Sequence, residues 1–270
     1  SRSRAVMYSS LSALSALLLF TVPMSAVEII AHRGASYDAP ENTLAALKLG
    51  MEQKADANEL DVYLSKDGQV VLMHDATTKR TAGLDKPVVE QTLEELRTLD
   101  AGAWKGEQWR GEKIATLGEA LATVPAGKRL FIEIKCGPEI LPELERVLQA
   151  SGKAPEQLVI ISFGYDTVTQ ARQRFPKIPV FWLVSPKKGS KGKSPTVEEM
   201  IEQTRAAGLE GLNLNYQFPF DTAFVGKVKA AGLKLYAWTV DDAEAARKLV
   251  EFGVDGITTN RPAWLREQLQ

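Results

Sequence analysis

The chain reads as an α/β protein, and within that class as a TIM (β/α)8 barrel with a small insertion after the second strand station. Three observations predict this. Short apolar runs alternate with amphipathic stretches from residue 28 to the end, the pattern of βαβ units on a parallel sheet. Three late segments, Ala207-Gly208-Leu209, Ala231-Gly232-Leu233 and Phe252-Gly253-Val254, each put Gly at a helix end just before an apolar run, where Gly relieves the left-handed closing turn. A length of 270 residues suits eight such units.

In order, strands are predicted over 28–31, 58–63, 70–73, 129–134, 158–161, 180–184, 211–214, 233–237 and 256–258. The second and third count as one hairpin-like station, which leaves eight. Helical spacing of apolar residues falls between most of them, over 44–53, 117–122, 139–150, 167–174, 197–207, 223–231 and 243–252, with Asn42 and Thr43 opening the first of these and Asn42 suited to be its N-terminal cap. A doubly wound open sheet is the competing architecture, but no Gly-x-Gly-x-x-Gly turn follows the first strand. Residues 75–116 are too long for a plain loop and form the expected insertion, with one helical piece near 93–99 and with Trp104 and Trp109 packing it onto the barrel. Residues 185–196 carry Lys187, Lys188, Lys191 and Lys193 among Gly, Ser and Pro. They read as a solvated loop, or alternatively as a basic rim that attracts an anionic substrate.

The first 26 residues differ in character. Arg2 and Arg4 precede an apolar stretch over 11–22, followed by Pro23-Met24-Ser25-Ala26, the pattern of a secretory signal. The apolar stretch is shorter than the ~18 residues that span a bilayer, so no stable membrane anchor is expected. The expectation is a barrel domain over 27–270, periplasmic or secreted.

Composition narrows the chemistry. With 44% apolar and 25% charged residues the chain buries a core without staples, and the lone Cys136 rules out a disulfide framework or a Cys-based metal site. Cys136 reads as a small filler. Thirty-three basic residues against 34 acidic ones give a net charge of −1, which argues against nucleic acid as a partner. Only two histidines occur, and each directly follows an apolar run: His32 after Ile29-Ile30-Ala31, and His74 after Val70-Val71-Leu72-Met73. Barrel enzymes do their chemistry where strands end, and imidazole suits proton transfer near neutral pH. Alternation within strands puts Glu59 and Asp61 on one face, and Glu133 with Lys135 on one face of another strand. Three carboxylates converging inside a barrel suit a hard cation, Mg²⁺ or Ca²⁺. The alternative is that they lie on exposed edge strands bridged to lysines. Arg33 beside His32 offers a guanidinium fork for phosphate oxygens. Cation, imidazoles and guanidinium together point to metal-assisted cleavage of a small phosphate ester.

The ordered set His32-Arg33-Gly34, Pro40-Glu41-Asn42-Thr43, Glu59-x-Asp61, His74-Asp75, Arg80-Thr81, the Leu99-Asp100-Ala101-Gly102 run, Thr116-Leu117-x-Glu119, Glu133-Ile134-Lys135, Ile161-Ser162-Phe163, Trp238-Thr239-Val240 and Asp255-Gly256-Ile257-x-Thr259-Asn260-Arg261-Pro262 closely resembles the glycerophosphodiester phosphodiesterase family across residues 28–265. The resemblance implies a barrel with an insertion after the second station. It also implies one divalent cation held by Glu59, Asp61 and Glu133, an acid–base pair in His32 and His74, and phosphodiester binding by Arg33 and Lys135. Trp238 and Phe163 would form apolar walls, and Glu41 a supporting partner. The implied reaction is hydrolysis of glycerophosphodiesters to glycerol 3-phosphate and an alcohol. A lysophospholipase D-like activity on the same scaffold and a non-catalytic binding protein for a phosphorylated ligand are the alternatives. Ala115, Asn260 and Thr78 depart from the family's usual Pro, Asp and apolar residue. The individual roles of the two histidines remain open at this level.

Overall fold

A computed structural model describes residues 26–270; the predicted secretory segment lies, but for Ala26, outside the described residues. Nine strands form one sheet. They are β1 (Glu28–Ala31), β2 (Ala57–Leu64), β3 (Val70–Leu72), β4 (Arg129–Ile134), β5 (Leu158–Ser162), β6 (Val180–Val184), β7 (Gly211–Asn215), β8 (Lys234–Trp238) and β9 (Gly256–Thr259). Strand order runs β1-β9-β8-β7-β6-β5-β4-β2, and a parallel β1–β2 pairing closes the ring. β3 stands outside it as an antiparallel return on β2, with Val62 opposite Leu72. The predicted hairpin station is therefore one barrel strand and its flap, and the barrel has eight parallel strands, as expected.

Alternation sorts the strand residues into two environments. On β2, Leu60 and Val62 face outward and join a core built with the helices Leu117–Leu121 and Leu141–Ser151. The inward positions hold a separate cluster in which Phe131, Phe181 and Tyr236 meet edge to face, with ring centroids 5.5 and 5.0 Å apart. The Tyr236 hydroxyl donates to Glu28 Oε2 at 2.7 Å, and Arg129 pairs with the same oxygen at 3.1 Å. These rings plug the N-terminal end of the barrel, so only the C-terminal end can open into a cavity. Gly256 makes the plug possible: a Cβ there would come 2.3 Å from the Tyr236 ring.

The chain leaves the barrel after β3 and packs Val71, Met73, Val88, Leu96 and Ile114 into a small cluster of its own, the expected insertion. Its helix Leu93–Arg97 and the following helix Leu117–Leu121 both start with a capping box, Thr92 with Glu95 and Thr116 with Glu119. Trp104 does not serve as packing. It is 42% exposed, its indole N–H donates to Ala101 O, and Lys105 Nζ lies over its ring. Asn42 also departs from expectation: Thr43 is the true cap of the helix Leu44–Glu52, accepting from the Ala46 N–H, while Asn42 takes a left-handed conformation with φ 58°. A further helix, Pro262–Gln268, follows β9 and was not anticipated; its Pro fits the first helical position. Residues 185–191 and 193 are exposed apart from half-buried Pro186, as a solvated basic loop requires. No helix among the described residues is long and apolar enough to cross a membrane.

Because the plug leaves no room beside Tyr236, Gly256→Ala should destabilise the protein by about 1–3 kcal/mol, read as a lower urea midpoint with an unchanged slope.

Candidate active site

Strand register decides where the carboxylates meet. Asp61 on β2 lies directly beside Glu133 on β4, and Glu59 sits one inward position deeper beside Phe131. One oxygen from each carboxylate falls within 4.8 Å of the others, and all three residues are buried. The alternative of exposed edge strands is thereby excluded. Burial and mutual repulsion push Glu59 well above the usual carboxylate range, and burial with the Glu133 charge pushes Asp61 up to about 6. Glu59 Oε1 and Asp61 Oδ1 are buried with no hydrogen-bond partner. An all-oxygen trio with orphaned lone pairs fits a hard cation.

Two basic groups flank the trio. Arg33 Nε stands 3.4 Å from Asp61 Oδ2, and Lys135 Nζ stands 3.0 Å from Glu133 Oε1. Burial works against both charges, yet Asp61 and Glu41 hold Arg33 up, and Glu133 with Asp61 holds Lys135 up, so both stay cationic. The His32-Arg33-Gly34 turn that delivers the guanidinium is tightly built. Arg33 is left-handed at φ 57°, and a Cβ on Gly34 would come within 2.5 Å of the Ala46 backbone. Asn42, freed from capping, clasps Asp61 instead: its Nδ2 donates to Oδ2 at 2.9 Å and its Oδ1 accepts the Asp61 N–H at 3.2 Å.

Each histidine has its own orienting partner. His74 Nδ1 lies 2.8 Å from Asp75 Oδ1. Asp75 is held well below the usual carboxylate range, chiefly by hydrogen bonds from Arg80, so it accepts and the proton sits on His74 Nδ1. Arg80 also grips Glu41, which holds Arg33 Nη1 at 2.6 Å, so one chain of ion pairs runs from Arg33 to His74. His32 Nδ1 lies 2.7 Å from Asn260 Oδ1. Asp241 fixes that amide by accepting from its Nδ2 at 2.6 Å and from its backbone N–H at 2.9 Å, which leaves the Asn260 oxygen toward His32. His32 therefore carries its proton on Nδ1 and keeps a lone pair on Nε2. Burial, with the nearby Arg33 charge, pushes His32 down to about 4.

Eight of the nine predicted residues line one cavity of about 130 Å³: His32, Arg33, Glu59, His74, Glu133, Lys135, Phe163 and Trp238. Asp61 sits just behind, fully buried. Phe163 and Trp238 meet edge to face at 5.7 Å where they line the cavity. Sequence reasoning did not find the roles of Asn42, Arg80, Asp241 and Asn260, because those roles depend on contacts across the fold. Asp75, directly after His74, and Asn213, on the inward parity of β7, were within reach of strand alternation. Since the chain has two histidines, nitrogen-15 NMR resolves both: His32 should remain neutral and Nδ1-protonated from pH 8 down to about pH 5, with no midpoint near 6.5.

Comparison with known proteins places this geometry. The model of the glycerophosphoryl diester phosphodiesterase family matches residues 32–264. The glycerophosphodiester phosphodiesterase of Caldanaerobacter subterraneus subsp. tengcongensis is 36% identical over 244 residues, covering 88% of this chain and 95% of that protein. That of Bacillus subtilis is 32% identical over 250 residues, covering 86% and 83%. The structure of an Oleispira antarctica phosphodiesterase, in complex with its product sn-glycerol-3-phosphate, superposes with a TM-score of 0.81 at 33% identity, over 90% of this chain and 96% of that one. A closed barrel, a buried acidic trio and two separately oriented imidazoles at one mouth thus coincide with sequence kinship over most of the chain: it is an enzyme and belongs to the glycerophosphoryl diester phosphodiesterase family.

Proposed function

We propose that this enzyme hydrolyses small glycerophosphodiesters to glycerol 3-phosphate and an alcohol, with His32 as general base and His74 as general acid. The observation that carries the reading is that both imidazoles, both basic groups and the acidic trio surround one cavity. Glu59, Asp61 and Glu133 would hold one divalent cation, Mg²⁺ or Ca²⁺, whose chemistry there is to polarise the phosphoryl oxygens.

The chain's own groups divide the remaining work. Arg33 and Lys135 bind the non-bridging oxygens and hold the diester between the imidazoles. His32 is neutral with its Nε2 lone pair open, so it takes the proton of the attacking oxygen, either water directly or a neighbouring glycerol hydroxyl, in which case water then opens the resulting cyclic phosphate to glycerol 3-phosphate. His74, fixed at Nδ1 by Asp75, lines the same cavity as His32, and its Nε2 is the group that gives a proton to the departing oxygen. That Nε2 faces Lys135 Nζ at 3.5 Å. Phe163 and Trp238 shield the substituent from water.

The direct test is turnover of glycerophosphocholine, glycerophosphoethanolamine and lysophosphatidylcholine before and after EDTA, with each metal then restored. The expected result is cleavage of the first two, lost with EDTA and regained with one of the two metals. Full activity after chelation would remove the cation from the reaction. His32→Ala and His74→Ala should each lower kcat by about 10²–10⁴-fold with native circular dichroism, and near-native rates in both would exclude them.

Stability supplies an independent readout of the trio. In cation-free protein Glu59 and Asp61 bind protons more tightly folded than unfolded, so their charges destabilise the fold near neutrality and less so as pH falls toward 5. In EDTA at pH 7.5, Glu59→Gln should therefore be more stable than wild type by about 2 kcal/mol, a gap that narrows at pH 5. Added Mg²⁺ or Ca²⁺ should raise the melting temperature of wild type and not of the variant.

A further inference from the structure

The cavity has two unlike walls. The assigned residues on β1, β2, β3 and β4 and the turns after them form a charged wall. The opposite wall, from β6 to β9, is apolar at Leu183 and Trp238 but contains Asn213 and Thr258. In the closed ring β7 lies four strands from β2 in either direction, so Asn213 stands across the barrel from Glu59 and Asp61.

Asn213 has no evident structural task. Its side chain occupies an inward position between Leu183 and Tyr236 in register, and the residue is 2% exposed. Its Oδ1 is buried without a hydrogen-bond partner; its backbone pairs within the sheet, and its carbonyl also accepts from the Trp238 indole at 3.0 Å. An unpartnered buried amide costs about 1–3 kcal/mol relative to a paired one, and Leu, of similar shape, would fit the apolar surroundings without that cost. The neighbouring inward residue of β9, Thr258, is 4% exposed and lines the same wall. An amide offers one acceptor and two donor hydrogens, the complement of alcohol groups, which both donate and accept. It carries no charge to compete with Arg33 and Lys135 for the phosphoryl group.

We propose that Asn213, assisted by Thr258, is the specificity-determining residue that reads a hydroxyl of the substrate's glycerol unit, while the opposite wall holds the phosphoryl group. This inference rests on the glycerophosphodiesterase reading above. It explains how a pocket whose charged half would suit any phosphodiester can require a polyol. A site built to hydrogen-bond a hydroxyl disfavours an analogue that lacks it, because the protein's own polar group then stays unpaired.

The test compares glycerol 3-phosphate with n-propyl phosphate, which keeps the phosphoryl group and the carbon chain but has neither hydroxyl. Calorimetry gives Kd for each with cation-loaded wild type, Asn213→Leu and Asn213→Ala. Wild type should prefer glycerol 3-phosphate by about tenfold or more, and the ratio should fall below about threefold in both variants. The change should come from weaker glycerol 3-phosphate binding, with little change for propyl phosphate. The urea midpoint of Asn213→Leu should be no lower than that of wild type, since no protein hydrogen bond is lost; a residue with a structural task would lower it. An unchanged ratio in both variants, or no preference in wild type, overturns the inference. Glycerophosphocholine turnover by wild type is scored separately: its absence would count against the enzymatic reading, whereas the two Kd ratios judge Asn213 alone.

Discussion

Glu59, Asp61 and Glu133 enter the barrel from adjacent parallel strands, and their mutual repulsion in a buried space is the constraint around which the rest is arranged. Carboxylates that close cannot all stay ionised without compensation. The sequence places a cationic group on either side, Arg33 and Lys135, and an uncharged clasp, Asn42, beneath Asp61. Those partners leave Glu59 Oε1 and Asp61 Oδ1 unpaired. The incomplete compensation leaves lone pairs of the kind a hard cation takes, and the proposed metal role rests on them.

The same constraint makes the two imidazoles different. His32 is half-buried beside Arg33 and leans on an amide, Asn260, which fixes its tautomer without adding negative charge. His74 leans on the Asp75 carboxylate, which Arg80 keeps ionised. The two rings are thereby oriented by chemically unlike partners, an amide and a carboxylate. The Arg33–Glu41–Arg80–Asp75 chain ties the Arg33 side of the mouth to the His74 side, so the geometry of one is not independent of the other. Such supporting contacts decide orientation to within the tolerance that proton transfer needs.

The scaffold supports this by assigning the two ends of the barrel opposite tasks. Phe131, Phe181 and Tyr236 fill the N-terminal end, while the C-terminal end keeps polar groups that a pure packing problem would replace. Asn213 is the clearest instance, an amide held among apolar neighbours at a cost in stability. Stability is supplied by one end and by the outer layer of helices, and is given up at the other for chemistry.

The sequence by itself determined the strand and helix order, the hairpin at the second station, the insertion, and the set of nine residues that the fold brings to one mouth. Those features follow from local periodicity and from polar residues standing where apolar runs end, both of which are written along the chain. The tertiary structure alone decided that Thr43 rather than Asn42 caps the first helix, that Trp104 faces solvent, and that Asp61 meets Glu133 in register. It alone also decided which atom of each imidazole holds the proton. These outcomes depend on contacts between residues as far apart as His32 and Asn260, and no local pattern encodes the distance between groups that meet only when the ring closes.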